Sequence, residues 1–159
     1  MKAEYINPFI EATFSVFSTM VNMKPKKDEV YLKEDRRTTY DVSGVIGLAG
    51  DIKGSVIISL PENLALKIVS NFLGEEKKTL DYEVVDGVGE ILNMIAGGAK
   101  KIFGEKLGTR FKISIPSLII GKGHIVNIPS GLKYIGVRYS LENEKFSLEV
   151  SMREENNSY

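Results

Sequence analysis

The sequence predicts an α+β domain with long helices packed on one face of a largely antiparallel sheet. Three observations predict it. Each half of the chain begins with an amphipathic, helix-periodic segment, each ends with two apolar-rich segments joined by a short turn, and the two hairpins echo one another. Without gaps, residues 42–60 lie over 134–152. Gly44 falls on Gly136, Val45 on Val137, Lys53 on Lys145, Ser55 on Ser147 and Ser59 on Ser151, five identities in nineteen positions. Shared strand composition accounts for part of the match, and a true internal duplication stays open beside it. A duplication would relate two helix-plus-hairpin halves by a pseudo-twofold axis.

Each element has its own signal. In 8–22, Phe9, Ile10, Phe14, Val16, Phe17 and Met20 recur at helical spacing, and Asn7-Pro8 supplies a cap and a first-turn proline. The charged stretch that follows, with "KPKK" (24–27) and "EDRR" (34–37), reads as a solvated loop. "TYDVSGVIGLAG" and "DIKGSVIISL" read as a hairpin. Residues 61–74 open with Pro61 and close with Gly74, and Leu64, Ala65, Ile68, Val69 and Phe72 form an apolar stripe. A long helix over about 80–104 comes next, then short strands near 111–115, 118–120 and 124–127. "LKYIGVRYSL" and "KFSLEVSM" form a closing hairpin. The expected organisation is one domain over 1–153 and a polar tail over 154–159.

Composition narrows the function classes. Lys plus Arg equals Asp plus Glu at 21 each, so no overall basic field favours nucleic acid or an anionic membrane. The chain has no cysteine, which removes disulfides, thiolate catalysis and zinc–sulfur sites and fits a reducing cytoplasm. Glu4 and Glu11 interrupt the apolar pattern of the N-terminus, so it is no signal-peptide core, and no stretch approaches the ~20 apolar residues of a membrane span.

The long helix carries the chemistry. At about 100° per residue, Val84, Val85, Val88, Ile91, Leu92, Ile95, Ala99, Ile102 and Phe103 share the core face, while Asp86, Glu90, Asn93, Gly97, Lys101 and Gly104 gather on the opposite edge. Glu90 and Asn93 are thus neighbours one turn apart. Gly97 and Gly98 stand where each glycine costs a helix about 1 kcal/mol against alanine. Gly98 fits close packing within the molecule; Gly97, on the polar edge, fits the close approach of an outside surface.

A carboxylate and an amide alone perform little chemistry. The single histidine, His124, lies in "GKGHIVN", a turn into a strand, and "GKG" lacks the Lys-Ser/Thr ending of a phosphate loop. No acidic residues show metal-ligand spacing. Catalysis by Glu90 and Asn93 would therefore need the reactive group and the metal on a partner. An acyl phosphate on an aspartate meets that need, because its hydrolysis depends mainly on positioning a water. An amide can donate and accept hydrogen bonds to such a water and stays neutral.

With these residues in view, the sequence resembles the CheX branch of the CheC/CheX/FliY chemotaxis phosphatases. The family pattern is Ser or Asp, three residues, Glu, two residues, Asn, twenty-two residues, Pro; here Asp86, Glu90, Asn93 and Pro116 meet every spacing. Glu-x-x-Asn alone is cheap and recurs at Glu4/Asn7 and Glu154/Asn157, but only Glu90/Asn93 carries the whole pattern. The resemblance implies a phosphatase for a phosphorylated CheY-like response regulator. Asn93 would orient the attacking water, Glu90 would contact the partner's lysine, and magnesium would sit on the partner, leaving no cofactor on this chain. Asp86, Gly97 and Lys101 would line the docking edge, and Pro116 would be structural. Asp86 could also cap or support the helix N-terminal turn electrostatically. The first helix offers Glu11-x-x-Phe14, so one site per chain is expected, and the resemblance implies a homodimer. Two other readings of the same edge stand: a module that binds a phosphorylated regulator or flagellar switch component without turnover, and an ordinary solvated face on an oligomerising scaffold.

Overall fold

The computed structural model describes residues 3–126 and 132–155. Among these, three helices, α1 (Asn7–Val16), α2 (Glu62–Leu73) and α3 (Tyr82–Ile102), accompany seven strands. The strands are β1 (Lys26–Lys33), β2 (Val42–Gly50), β3 (Ile52–Leu60), β4 (Phe111–Ile113), β5 (Ser117–Ile120), β6 (Tyr134–Leu141) and β7 (Glu144–Glu154). They form one antiparallel sheet in the order β1-β6-β7-β3-β2-β4, with β5 also paired to β2. The α+β expectation holds.

The echoed hairpins lie side by side. β3 pairs with β7 at the centre, and the echoed serines face each other there, Ser55 against Ser151 and Ser59 against Ser147. Each half lends its edge to the other: β1 pairs with β6, whereas β4 and β5 pair with β2. The arrangement is twofold in its topology, as a duplication would make it.

Period-2 alternation fixes the layers. Val56 and Ile58 of β3 and Leu148 and Val150 of β7 point to the helices and are buried in the main core. On the opposite face lie the serines, the buried Glu149, and a smaller apolar cluster of Ile57, Val126 and Tyr134. α1 buries Phe9, Ala12 and Val16 and packs along α3, and its last turn widens over Phe17–Val21, where Phe17 stacks on Phe146 of the sheet at 5.2 Å. Asn7 is not its cap: a tight turn over Ala3–Ile6 leads straight into the helix, so Asn7 is already helical, while Pro8 keeps its first-turn place. α2 begins after Pro61, where Asp41 accepts from the Glu62 amide at 2.8 Å, and ends at Gly74, whose φ of 69° closes the helix at no side-chain penalty.

Part of the expected charged loop is instead the edge strand β1, which takes Lys26 and Lys27 of "KPKK" and ends at Lys33, while "EDRR" (34–37) lies beyond it outside the named strands. The charges of β1 face partners on β6 and, across it, on β7. Glu29 pairs with Arg138, Asp28 accepts from Lys145 at 2.8 Å, and Lys33 reaches Glu149 at 3.2 Å. The Tyr31 ring lies over Gly136, where no side chain would fit, and its hydroxyl donates to Glu149 at 2.9 Å. An exposed edge rich in charge also discourages stray pairing. The expected strand near 124–127 reduces to one bridge between Arg37 and Ile125, and residue 127 lies outside the described residues. β7 continues through Glu154, which accepts from the Tyr5 hydroxyl, so ordered pairing runs one residue past the expected boundary.

Candidate active site

α3 is the element that positions the candidate residues. Asp81 caps it, accepting from the Val84 amide at 3.0 Å, and Lys77 holds that carboxylate at 2.9 Å. The Lys77 hydrogen bond first, and the Val84 amide second, keep the Asp81 carboxyl below its usual range. The cap is thus Asp81 and not Asp86, which sits exposed a turn further on, beyond reach of the terminal amides.

Three glycines lock the helix in place. A side chain at Gly87 would meet Val69 of α2 at 2.7 Å, one at Gly98 would meet the Ala12 Cβ of α1 at 3.1 Å, and one at Gly89 would meet Leu118 at 2.9 Å and Pro116 at 3.2 Å. Leu92, fully buried, fills the space above Gly44 of β2. Burying a leucine contributes roughly 1.5–3 kcal/mol, so the helix cannot roll without losing its anchor. Pro116 therefore has a structural place, buttressing the turn that presents Glu90. Sequence reasoning missed this contact; its signal was Gly89 beside Glu90.

The opposite edge faces outward. Asp86, Glu90, Asn93 and Lys101 are exposed and Gly97 is half-buried. Neither Glu90 nor Asn93 makes a side-chain hydrogen bond or ion pair with any described residue. A Cβ added at Gly97 would meet nothing within 4 Å. The adjacent glycines differ as the helical wheel predicts: Gly98 admits α1, and Gly97 leaves the edge bare. Beyond Gly97 the edge opens into a groove of about 930 Å³ between the end of α3 and the start of β4, lined by Lys100, Lys101, Gly104, Arg110 and Lys112 among others. Sequence reasoning missed Arg110 and Lys112, which come from a different element and meet the helix only in the fold.

The rival motifs fall elsewhere. Glu11 pairs with Lys106 at 3.4 Å, and Phe14 packs edge-on against Tyr139 at 5.7 Å. Glu154 is engaged by Tyr5, and Asn157 lies outside the described residues. His124 is exposed in the bend after β5, its amide held by Thr38 at 3.1 Å. Among the described residues no group of three or more His, Cys, Asp or Glu gathers as a metal-binding cluster. No helix among them is long and apolar enough to cross a membrane.

The family model for the chemotaxis phosphatase CheX matches residues 42–140, which span β2 to β6 and all of α3. The chain belongs to the CheX family. A curated relative, the CheY-P phosphatase CheX of Thermotoga maritima, is 28% identical over 162 residues, covering 96% of this chain and 98% of the relative. The crystal structure of a CheC-like superfamily protein from Shewanella sp. PV-4 is 36% identical with a TM-score of 0.86, covering 96% of this chain and 99% of that one. The CheX of a CheX–CheY–BeF3–Mg complex from Borrelia burgdorferi is 30% identical with a TM-score of 0.77, covering 96% of this chain and 100% of that one. CheX membership thus rests on the whole length of the fold as well as on the pattern around α3.

Proposed function

We propose that this protein hydrolyses the aspartyl phosphate of a CheY-like response regulator, with Asn93 orienting the attacking water and Glu90 contacting the regulator's active-site lysine. The observation that carries the reading is the display of Glu90 and Asn93 one turn apart on α3, exposed and unengaged. The similarity to a CheY-P phosphatase and to a CheX solved with CheY, beryllofluoride and magnesium supports the partner class. Beryllofluoride stands in for a phosphoryl group in such complexes.

In the proposed reaction the Asn93 carbonyl oxygen accepts a hydrogen bond from water and aligns it opposite the acyl oxygen. The water oxygen bonds to phosphorus, the phosphorus–acyl oxygen bond breaks with its electron pair leaving on the aspartate carboxylate, and both protons of the water stay on the inorganic phosphate released. Magnesium, held by the regulator, offsets the charge on the phosphoryl oxygens. The neutral amide suits a water-aligning task, since it accepts without taking the proton. Glu90 fixes register by pairing with a lysine, and Asp86, Gly97 and Lys101 complete the contact edge. Residues 1–153 act as one unit in this reading, as a homodimer in the cytoplasm. The absence of cysteine suits that compartment.

The test is release of inorganic phosphate from a phosphorylated CheY-type regulator, with magnesium, at catalytic amounts of this protein. Release faster than the regulator's own decay, with many turnovers per chain, is expected. Tight binding without acceleration would replace the phosphatase reading with the binding-module one.

A further inference from the structure

The groove beyond Gly97 has no role in the core of the fold, and its construction has no internal explanation. Gly97 and Gly104 lie on its α3 side. Neither has a left-handed φ, and an added Cβ at either would meet nothing within 4 Å. Alanine at Gly97 would favour the helix by about 1 kcal/mol, yet the chain keeps that edge bare. Around this floor stand Lys100 and Lys101 from α3 and Arg110 and Lys112 from the approach to β4 and β4 itself. None of the four is in an ion pair among the described residues, so their charges stay available to a partner, as those of Lys53, Lys67 and Lys78 do elsewhere on the surface. Glu105 is the one carboxylate on the groove's rim. The chain as a whole carries no net charge, so this concentration is local.

The exposed side of α3 is therefore graded. Glu83, Asp86 and Glu90 make its first half acidic, Asn93 stands in the middle, and a groove with a largely apolar floor and a rim of Lys100, Lys101, Arg110 and Lys112 follows. Lys101 is eight residues beyond Asn93, about 12 Å along the axis. That span reaches the surface flanking a partner's active site when Asn93 enters it. A regulator that holds magnesium beside an aspartyl phosphate does so with carboxylates, so acidic side chains gather at its phosphorylation site.

Resting on the phosphatase reading of α3, we propose that the groove bounded by Gly97, Gly104, Lys101, Arg110 and Lys112 is a second docking element for the phosphorylated regulator, taking an acidic surface beside the aspartyl phosphate. The basic half of α3 attracts that surface, while Glu90 on the acidic half pairs with the regulator's lysine. The helix thus sets which way round the regulator lies across Asn93, and opposite charge speeds encounter.

The experiment measures affinity apart from turnover. Binding of a CheY-type regulator activated with beryllofluoride and magnesium is compared for the unmodified chain, the double variant Arg110→Glu/Lys112→Glu, and Lys67→Glu on the exposed side of α2. Melting temperatures verify folding; both groove side chains are exposed, and the Arg110 hydrogen bond to Asp51 is made by its backbone. Expected is at least a tenfold rise in Kd for the double variant, with a shallower dependence of log Kd on log salt. Lys67→Glu should stay within twofold. An unchanged Kd for the double variant, an equal loss in Lys67→Glu, or no binding by the unmodified chain overturns the proposal. Binding that depends on Arg110 and Lys112 without phosphate release would retain the groove and remove the phosphatase reading instead.

Discussion

The two halves of the chain place a helix on equivalent halves of the sheet, and the outward edges of those helices have opposite fates. On α1, Glu11 is tied to Lys106 and Phe14 lies against Tyr139. On α3, Glu90 and Asn93 make no side-chain hydrogen bond or ion pair with a described residue, and Gly97 leaves the surface beside them empty. One edge is knitted into its own molecule; the other is left open to solvent. The difference teaches that two helices on one sheet can differ in whether their outward edges are engaged, and that the side chains at two positions one turn apart decide it.

Removing the proposed water-aligning group should have the largest effect. Asn93→Ala is expected to lower turnover by roughly 10²–10³-fold, the range for losing one aligned polar group in an active site, while regulator affinity changes little. Next is the helix seam. Gly98→Val pushes its side chain into Ala12, 3.1 Å from the Cβ position, and should destabilise by about 1–3 kcal/mol in denaturant titration. Glu90→Ala should raise KM about tenfold, equivalent to about 1.4 kcal/mol, with a smaller change in turnover. Gly97→Ala should stabilise the helix by about 1 kcal/mol and yet weaken regulator binding, which separates it from its neighbour in sign. The smallest effect concerns the cap. Asp81→Ala should lower Tm by about 3 °C at neutral pH. Because Lys77 and the Val84 amide depress the Asp81 carboxyl in the folded state, its contribution is complete above its unfolded value near ~4 and fades as pH falls through the lower folded value. The gap in Tm between the two proteins should therefore close on acidification.

The readable parts of the molecule are those governed by one local period. α3 declared both its faces because nine apolar residues fall on one side at 3.6-residue spacing, and the two hairpins declared themselves by alternation and short turns. The candidate residues were legible because Asp86, Glu90, Asn93 and Pro116 form one spaced pattern along the chain. β1 was not legible: an edge strand needs only one side buried, and its charges are satisfied by Arg138, Lys145 and Glu149, which lie more than a hundred residues away. The cap was not legible because Asp81 and Asp86 both stand near the start of the helix, and only the Val84 amide chooses between them. The groove stayed hidden because Arg110 and Lys112 join Gly97 only when β4 pairs with β2.

The measurement that tests the central claim most directly sets the two edges against each other. Phosphate release from the phosphorylated regulator would be followed with Asn93→Ala and with Phe14→Ala, each checked for an intact fold and for regulator affinity. Loss of turnover in Asn93→Ala at near-unchanged affinity, with Phe14→Ala still turning over within about threefold of the unmodified chain, a rate change worth less than ~0.7 kcal/mol, is the predicted result. Equal turnover in the two variants would contradict the assignment of the active edge to α3.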